Sequence, residues 1–174
     1  MTPDELKALI RDVPDFPVAG ILFRDITPLL REPRAFGYAL DELTAWVEGM
    51  GVEAVAGIES RGFLFGAPVA ARLGLPFVPV RKPGKLPAAR MSVEITLEYG
   101  ATQLDIHADA LGRGDRCVIV DDVLATGGTA AGAAKLVELL GSEVAGCVFL
   151  IELAALGGRG RLAGYEVRAL MRYG

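Results

Sequence analysis

The chain has 174 residues, is 52% hydrophobic, contains 22 glycines and carries a formal net charge of −4. That length suffices for one domain with a buried core, and the acidic balance argues against a nucleic-acid partner, which selects a basic face. No apolar run reaches membrane length, the acidic opening Met1–Thr2–Pro3–Asp4–Glu5 is unlike a signal peptide, and Cys117 and Cys147 sit in apolar runs, as reduced core thiols of a cytoplasmic protein do.

Thr2–Pro3–Asp4–Glu5 has the pattern of a helix start: Thr2 as cap, Pro3 at the first helical position and Glu5 completing a capping box. Leu6, Leu9 and Ile10 form the apolar side of a helix expected to stop before Pro14. The segment from Pro14 to Leu30 holds several prolines and a glycine, so it is neither continuous helix nor central strand. It is nevertheless rich in apolar residues and reads as an ordered hood. Phe23 and backbone groups free of a ladder suit recognition of a flat heterocycle; a clamp packed over the core is the alternative. Pro33 to Met50 is a helix with Phe36, Leu40, Leu43 and Val47 on one face and Trp46 as packing.

Val52 to Ile58 reads as a buried strand, followed by the turn Glu59–Ser60–Arg61–Gly62 and a helix from about Phe63 to Leu73. An arginine at a helix N-terminus opposes the helix dipole, which makes sense where Arg61 faces an anion such as pyrophosphate; pairing with a neighbouring carboxylate is the other reading. Phe77 to Val80 is a third strand and empties into Arg81–Lys82–Pro83–Gly84–Lys85–Leu86–Pro87, with Arg90 close behind. This is either a basic anion-binding loop or a solvated one. Ser92 to Tyr99 and Thr102 to His107 alternate about Gly100 as a hairpin. Such a flap could cover a site and exclude water. Glu98 stands at its tip, placed to act as acid or base or simply as a surface carboxylate, and His107 is a flap residue and not a catalyst.

The most informative stretch is Val118–Ile119–Val120–Asp121–Asp122–Val123–Leu124–Ala125–Thr126–Gly127–Gly128–Thr129. A buried strand, Cys117 to Val120, is followed by two carboxylates, a small-residue turn and an Ala-rich helix from about Ala130 to Leu140. The turn amides and the unpaired N–H groups of the first helical turn converge on one spot, which suits a phosphate. Asp121 and Asp122, just before that cradle, would meet the hydroxyls of a ribose 5-phosphate or a sugar-bound Mg²⁺. The chain has neither Gly–Lys–Ser/Thr nor G-x-G-x-x-G at this place, which argues against nucleoside-triphosphate and dinucleotide loops. Val144 to Glu152 reads as a further strand, Gly157–Gly158–Arg159–Gly160 as a turn, and Tyr165 to Tyr173 as an edge strand. No repeat or linker divides the chain, so residues 1–174 read as a single domain, with an N-terminal helix and hood over 1–32 and a flexible loop and flap over 82–107. The expected fold is α/β, a mostly parallel twisted sheet flanked by helices with the hood over its carboxyl edge.

The central stretch resembles the phosphoribosyl-pyrophosphate (PRPP) motif of the type I phosphoribosyltransferases. Four further features narrow the resemblance to the adenine phosphoribosyltransferase family: Phe16 to Leu30, Glu59–Ser60–Arg61–Gly62–Phe63–Leu64–Phe65–Gly66, Arg81 to Pro87, and Leu97–Glu98–Tyr99–Gly100. Glu59 stands where that family often has Asp, and Leu22 where Val is common. The resemblance implies that Ala125, Thr126, Gly127, Gly128 and Thr129 hold a 5-phosphate and that Asp121 and Asp122 face the ribose hydroxyls. It implies that Glu59, Ser60, Arg61, Arg81, Lys82 and Lys85 form the pyrophosphate site, and that the backbone of Leu22 and Arg24 reads the adenine edge while Phe23 and Val123 sandwich the ring. It makes Glu98 the proton-handling carboxylate, with Asp121, Asp122 and Arg61 also catalytic. The implied substrates are adenine and PRPP, with Mg²⁺ carried mainly on substrate oxygens and not by a protein ligand cluster. A cytoplasmic homodimer follows from the same resemblance. A phosphoribosyltransferase for another purine base and a PRPP-sensing regulator are the alternatives.

Overall fold

The computed structural model describes residues 1–97 and 100–174. In chain order its elements are α1 (Pro3–Lys7), β1 (Arg11–Pro14), β2 (Leu22–Asp25), α2 (Thr27–Arg31), α3 (Pro33–Gly49), β3 (Ala54–Ile58), α4 (Phe63–Leu73), β4 (Phe77–Val80), β5 (Arg90–Leu97), β6 (Gly100–His107), β7 (Arg116–Leu124), α5 (Gly128–Leu139), β8 (Glu143–Leu153) and β9 (Val167–Tyr173). Two 3₁₀ turns, Ala154–Leu156 and Gly158–Leu162, lie between β8 and β9.

Five strands form one sheet in the order β4-β3-β7-β8-β9, and every neighbouring pair is parallel. Parallel neighbours need crossovers, and the crossover helices cover both faces. On one face Val55, Val118, Val120, Val148 and Leu150 pack with Phe65 and Val69 of α4 and with Ala39, Leu43 and Val47 of α3. On the other, Ala56, Ile119, Cys147 and Phe149 pack with Ala133, Leu136 and Val137 of α5 and with Val93, Ile95, Leu104 and Ile106 of the β5–β6 hairpin. Burial on both sides explains why β3, β7 and β8 read as continuous apolar runs. It also pushes the Cys117 and Cys147 thiols up to about 12, so both remain protonated.

Most expected elements appear where the sequence places them, and α4 and β4 match at both ends. The capping box of α1 forms: Thr2 Oγ1 accepts from the Glu5 amide at 3.2 Å, and Glu5 Oε2 accepts from the Thr2 amide at 2.7 Å. Three features differ. The first helix ends at Lys7, and Arg11–Pro14 is instead a strand paired antiparallel with Leu22–Asp25. Strand β7 does not stop at Val120; it continues through both aspartates, because Asp121, Val123 and Leu124 pair with Phe149, Ile151 and Glu152 of β8. Strand β3 pairs with β7 only as far as Val120, so the last turn of β7 has an open edge. The segment expected as a single turn at Gly157 to Gly160 is a longer strap of two 3₁₀ turns.

Candidate active site

The carboxyl ends of the parallel strands converge on one edge of the sheet, where α/β folds leave room for ligands. A cleft of about 460 Å³ opens there, lined by Glu59, Ser60, Arg61, Lys82, the run from Asp121 to Ala130, and Ile95, Thr102 and Leu104 of the β5–β6 hairpin. Helix α5 points its N-terminus into this cleft. Its cap residue is Gly127, with φ +82°, no side chain caps it, and its first turn holds no acidic residue. The amides of that turn are therefore available to an anion. A side chain on Gly127 would overlap the carbonyl of Gly158, so close approach as well as positive φ requires glycine here. Helix α4 likewise starts without a side-chain cap or a first-turn acid, directly after Arg61.

The two aspartates form an acidic wall beside this cradle. Asp122 is 3% exposed, and its amide donates to Asp121 Oδ1 at 2.9 Å. Burial, with the neighbouring charge of Asp122 second, raises the Asp121 carboxyl well above its ordinary range. Burial also raises Asp122, while the Arg61 guanidinium pulls it back down. Arg61 Nε lies 2.8 Å from Asp122 Oδ2, yet no donor is aligned on that oxygen, so the contact is an ion pair without a directed hydrogen bond. Burial alone would raise Glu59; the Lys82 amide at 3.1 Å and the Arg81 guanidinium at 3.0 Å outweigh it and hold the carboxyl low. Arg81 Nη1 also donates to the Lys85 carbonyl at 3.3 Å. Lys82 and Arg61 therefore face the cleft, while Arg81 braces the loop that carries Lys85.

A second cavity of about 380 Å³ adjoins the first, sharing Arg61, Val123 and Ala125 with it. Leu22, Phe23, Arg24 and Val123 line it, so the structure brings together all four residues expected to meet a base. The Arg61 guanidinium sits 4.9 Å from the centre of the Phe23 ring, and Phe16 packs edge-on against Phe23 at 5.1 Å. Leu153, Ala155, Leu156 and Tyr173 complete the wall and were not anticipated. Leu153 and Tyr173 end parallel strands β8 and β9 at the same sheet edge, and that position was the available signal. The Arg24 guanidinium covers the Tyr173 ring at 4.1 Å and pairs with Asp12. Glu98 lies outside the described residues. Arg90 pairs at 3.2 Å with Asp105 Oδ2, a wholly buried carboxylate whose other oxygen accepts from Ser92 and Gln103.

No group of three or more His, Cys, Asp or Glu side chains with metal-ligand spacing occurs among the described residues. The donor set here is two adjacent carboxylates, one of them with an oxygen lacking an aligned donor. That set fits a hydrated Mg²⁺ carried on substrate oxygens and does not fit an all-protein cage.

A family profile described as phosphoribosyl transferase domain matches residues 34–168. An adenine phosphoribosyltransferase of Caldanaerobacter subterraneus subsp. tengcongensis is 54% identical over 173 residues, covering 99% of this chain and all of the relative. This chain belongs to the adenine phosphoribosyltransferase family. The enzyme of that name from Methylococcus capsulatus is 56% identical, covering 98% of this chain and 99% of its own length. The crystal structure of the family member from Thermoanaerobacter pseudethanolicus superposes with a TM-score of 0.96 at 53% identity, covering 99% of this chain and 100% of that one. The Saccharomyces cerevisiae member, solved with an imino-altritol bisphosphate and adenine, gives a TM-score of 0.92 at 39% identity, over 97% of this chain and 98% of its own.

Proposed function

We propose that this chain transfers the 5-phosphoribosyl group of PRPP to adenine, giving AMP and pyrophosphate with inversion at the anomeric carbon, a purine-salvage reaction. The observation that carries this reading is the adjacency of the two cavities: an uncapped helix N-terminus and an acidic wall in one, a Phe23-walled apolar pocket in the other, with Arg61, Val123 and Ala125 common to both. A nucleoside monophosphate spans such a pair with its phosphate at residues 125–129 and its base against Phe23. Strand β2 is paired on one edge only, and residues two apart present their amides and carbonyls to the same side. In this reading that side is the open edge of β2, so that Leu22 and Arg24 offer their backbone groups together to one edge of the base.

As the bond to pyrophosphate breaks, positive charge grows on the ribose ring and negative charge on the leaving group. Asp121 and Asp122 hold the hydroxyls and stabilise the first; Arg61 and Lys82, backed by Arg81 and Lys85, stabilise the second. A Mg²⁺ ion brought with PRPP, near Asp121 and Asp122, would supply positive charge to offset part of the pyrophosphate charge. Glu98 takes the proton from the base. The β5–β6 hairpin, whose Ile95, Thr102 and Leu104 already line the cleft, keeps water from the cationic sugar. The same reading makes the protein a cytoplasmic homodimer: two buried thiols fit a reducing compartment, and the exposed apolar residues Phe16, Val18 and Leu64 supply a surface for a second copy.

The test mixes the protein with PRPP, Mg²⁺ and equimolar adenine, hypoxanthine and guanine and identifies the nucleotide formed. AMP alone supports the reading. A keto-purine nucleotide would keep the phosphate site and overturn the base assignment, because amino and keto edges demand opposite hydrogen bonding.

A further inference from the structure

We propose that Glu152 and Arg159 are a positioning pair that sets the phosphate cradle and the base-pocket wall as one rigid piece. Glu152 lies near the carboxyl end of β8, opposite Leu124 of β7 and Arg172 of β9, and is 4% exposed. Arg159 grips it with both prongs: Nε donates to Oε1 at 2.8 Å and Nη2 to Oε2 at 2.9 Å. Its third nitrogen, Nη1, donates to the Val167 carbonyl at 2.9 Å. A planar fork on a carboxylate fixes orientation as well as distance, which a lysine cannot do. Arg172 Nε, at 3.9 Å from Oε2, is too far to replace it.

The strap held by this fork touches both cavities. Before Arg159, Leu153, Ala155 and Leu156 line the base pocket. Immediately before it, Gly158 fits against the phosphate turn so closely that a side chain there would overlap the Ala125 carbonyl, just as one on Gly127 would overlap Gly158. After it, Leu162 is buried to 1% exposure in the core beneath α5. Among the described residues, the side-chain hydrogen bonds that tether the strap to the sheet between β8 and Leu162 are those of the Arg159 fork. Releasing it frees the backing of Ala125 and Gly127 together with one wall of the base pocket, and leaves the Glu59–Ser60–Arg61 turn and the basic loop, on the far side of β7, in place.

The inference rests on the proposed reading that AMP spans the two cavities. The experiment measures AMP and, separately, magnesium pyrophosphate binding by calorimetry on wild type, Arg159→Ala, Arg159→Lys and Glu152→Gln, with melting curves for each. Expected is a roughly tenfold or greater loss of AMP affinity in Arg159→Ala and Glu152→Gln, partial recovery in Arg159→Lys, and pyrophosphate affinity within about twofold of wild type. In turnover, KM for adenine and for PRPP should rise together with kcat little changed. Unchanged AMP affinity, or AMP and pyrophosphate weakened equally, would overturn the pair's positioning role; if Arg159→Ala does not fold, Glu152→Gln and Arg159→Lys give the same two readouts. Wild-type protein that binds pyrophosphate but not AMP would instead overturn the functional reading, and the positioning role with it.

Discussion

Arg61 and Asp122 are an ion pair 2.8 Å apart in which the carboxylate oxygen has no aligned donor. A charge pair held without a directed hydrogen bond is easily re-partnered, because a ligand can give Asp122 the donor it lacks while an anion takes Arg61. This is the arrangement expected of a site that receives a hydroxyl-bearing sugar and its pyrophosphate together.

Removing the charge of Asp122 while keeping its shape should therefore fall on the reaction. Asp122→Asn is expected to slow turnover by roughly tenfold or more with the fold intact. Steady-state kinetics beside a melting curve checks this, and unchanged turnover would sink the assigned role.

Asp121 carries a pH signature. Its folded carboxyl is raised by burial first and by Asp122 second, so the folded state binds this proton more tightly than the unfolded chain. Stability from this group is therefore highest below the unfolded carboxylate range and falls as pH rises through the raised folded value. Asp121→Asn keeps an oxygen for the Asp122 amide and removes that cost. In metal-free buffer its melting midpoint should exceed wild type at pH 7, by about 2–4 °C for each 1 kcal/mol relieved, and the gap should close as pH is lowered toward 4. An equal gap at both pH values would contradict the charge argument.

Phe23 supplies an aromatic face to the second cavity and is held edge-on by Phe16. Phe23→Ala is expected to raise KM for adenine about tenfold, the size of a lost stacking contact, while KM for PRPP stays within about twofold. Product assays varying each substrate in turn distinguish this from a general loss of the site.

Gly132 on α5 faces Ile95 on the flap strand so closely that a β-carbon would overlap Ile95 Cγ2. Alanine gains up to about 1 kcal/mol of helix propensity, but overpacking costs roughly 1–3 kcal/mol, so Gly132→Ala should be net destabilising. Ile95→Ala opens the space the new methyl needs. The double variant should lose less than the sum of the two single losses, as a denaturant cycle on all four proteins would read.

The buried sheet was legible because continuous apolar runs have few other uses, and the phosphate cradle because strand, small-residue turn and helix follow one another locally. Where the reading fell short, tertiary partners decided. Arg11–Pro14 has no alternation to mark it as a strand and becomes one only by pairing with Leu22–Asp25 across the intervening loop. Asp121 and Asp122 are poor strand formers, yet β7 runs through both because β8 pairs with Asp121, Val123 and Leu124. Leu153 and Leu156 look like core residues, and Tyr173 like an edge-strand residue; only the shared carboxyl edge makes them a pocket wall. Arg159 reads as one more turn arginine until Glu152 is seen beneath it.

The all-parallel sheet also bears on how the chain acquires its shape. No two of its neighbouring strands can meet through a tight turn, so every core pairing closes a long loop, and such contacts are slow to form. The antiparallel pairs β1–β2 and β5–β6 connect locally and lie outside that sheet. The cheapest opening of the native state should be the hood pair β1–β2, whose residues are exposed or half-buried, coming away while the sheet stays closed; β5–β6 is held to the core by Val93, Ile95, Leu104 and Ile106. Amide hydrogen exchange would then divide the protein into two tiers, fast at β1–β2 and slow at β3, β7 and β8, so that entry of the base would draw on the least protected part of the molecule and leave the most protected part undisturbed.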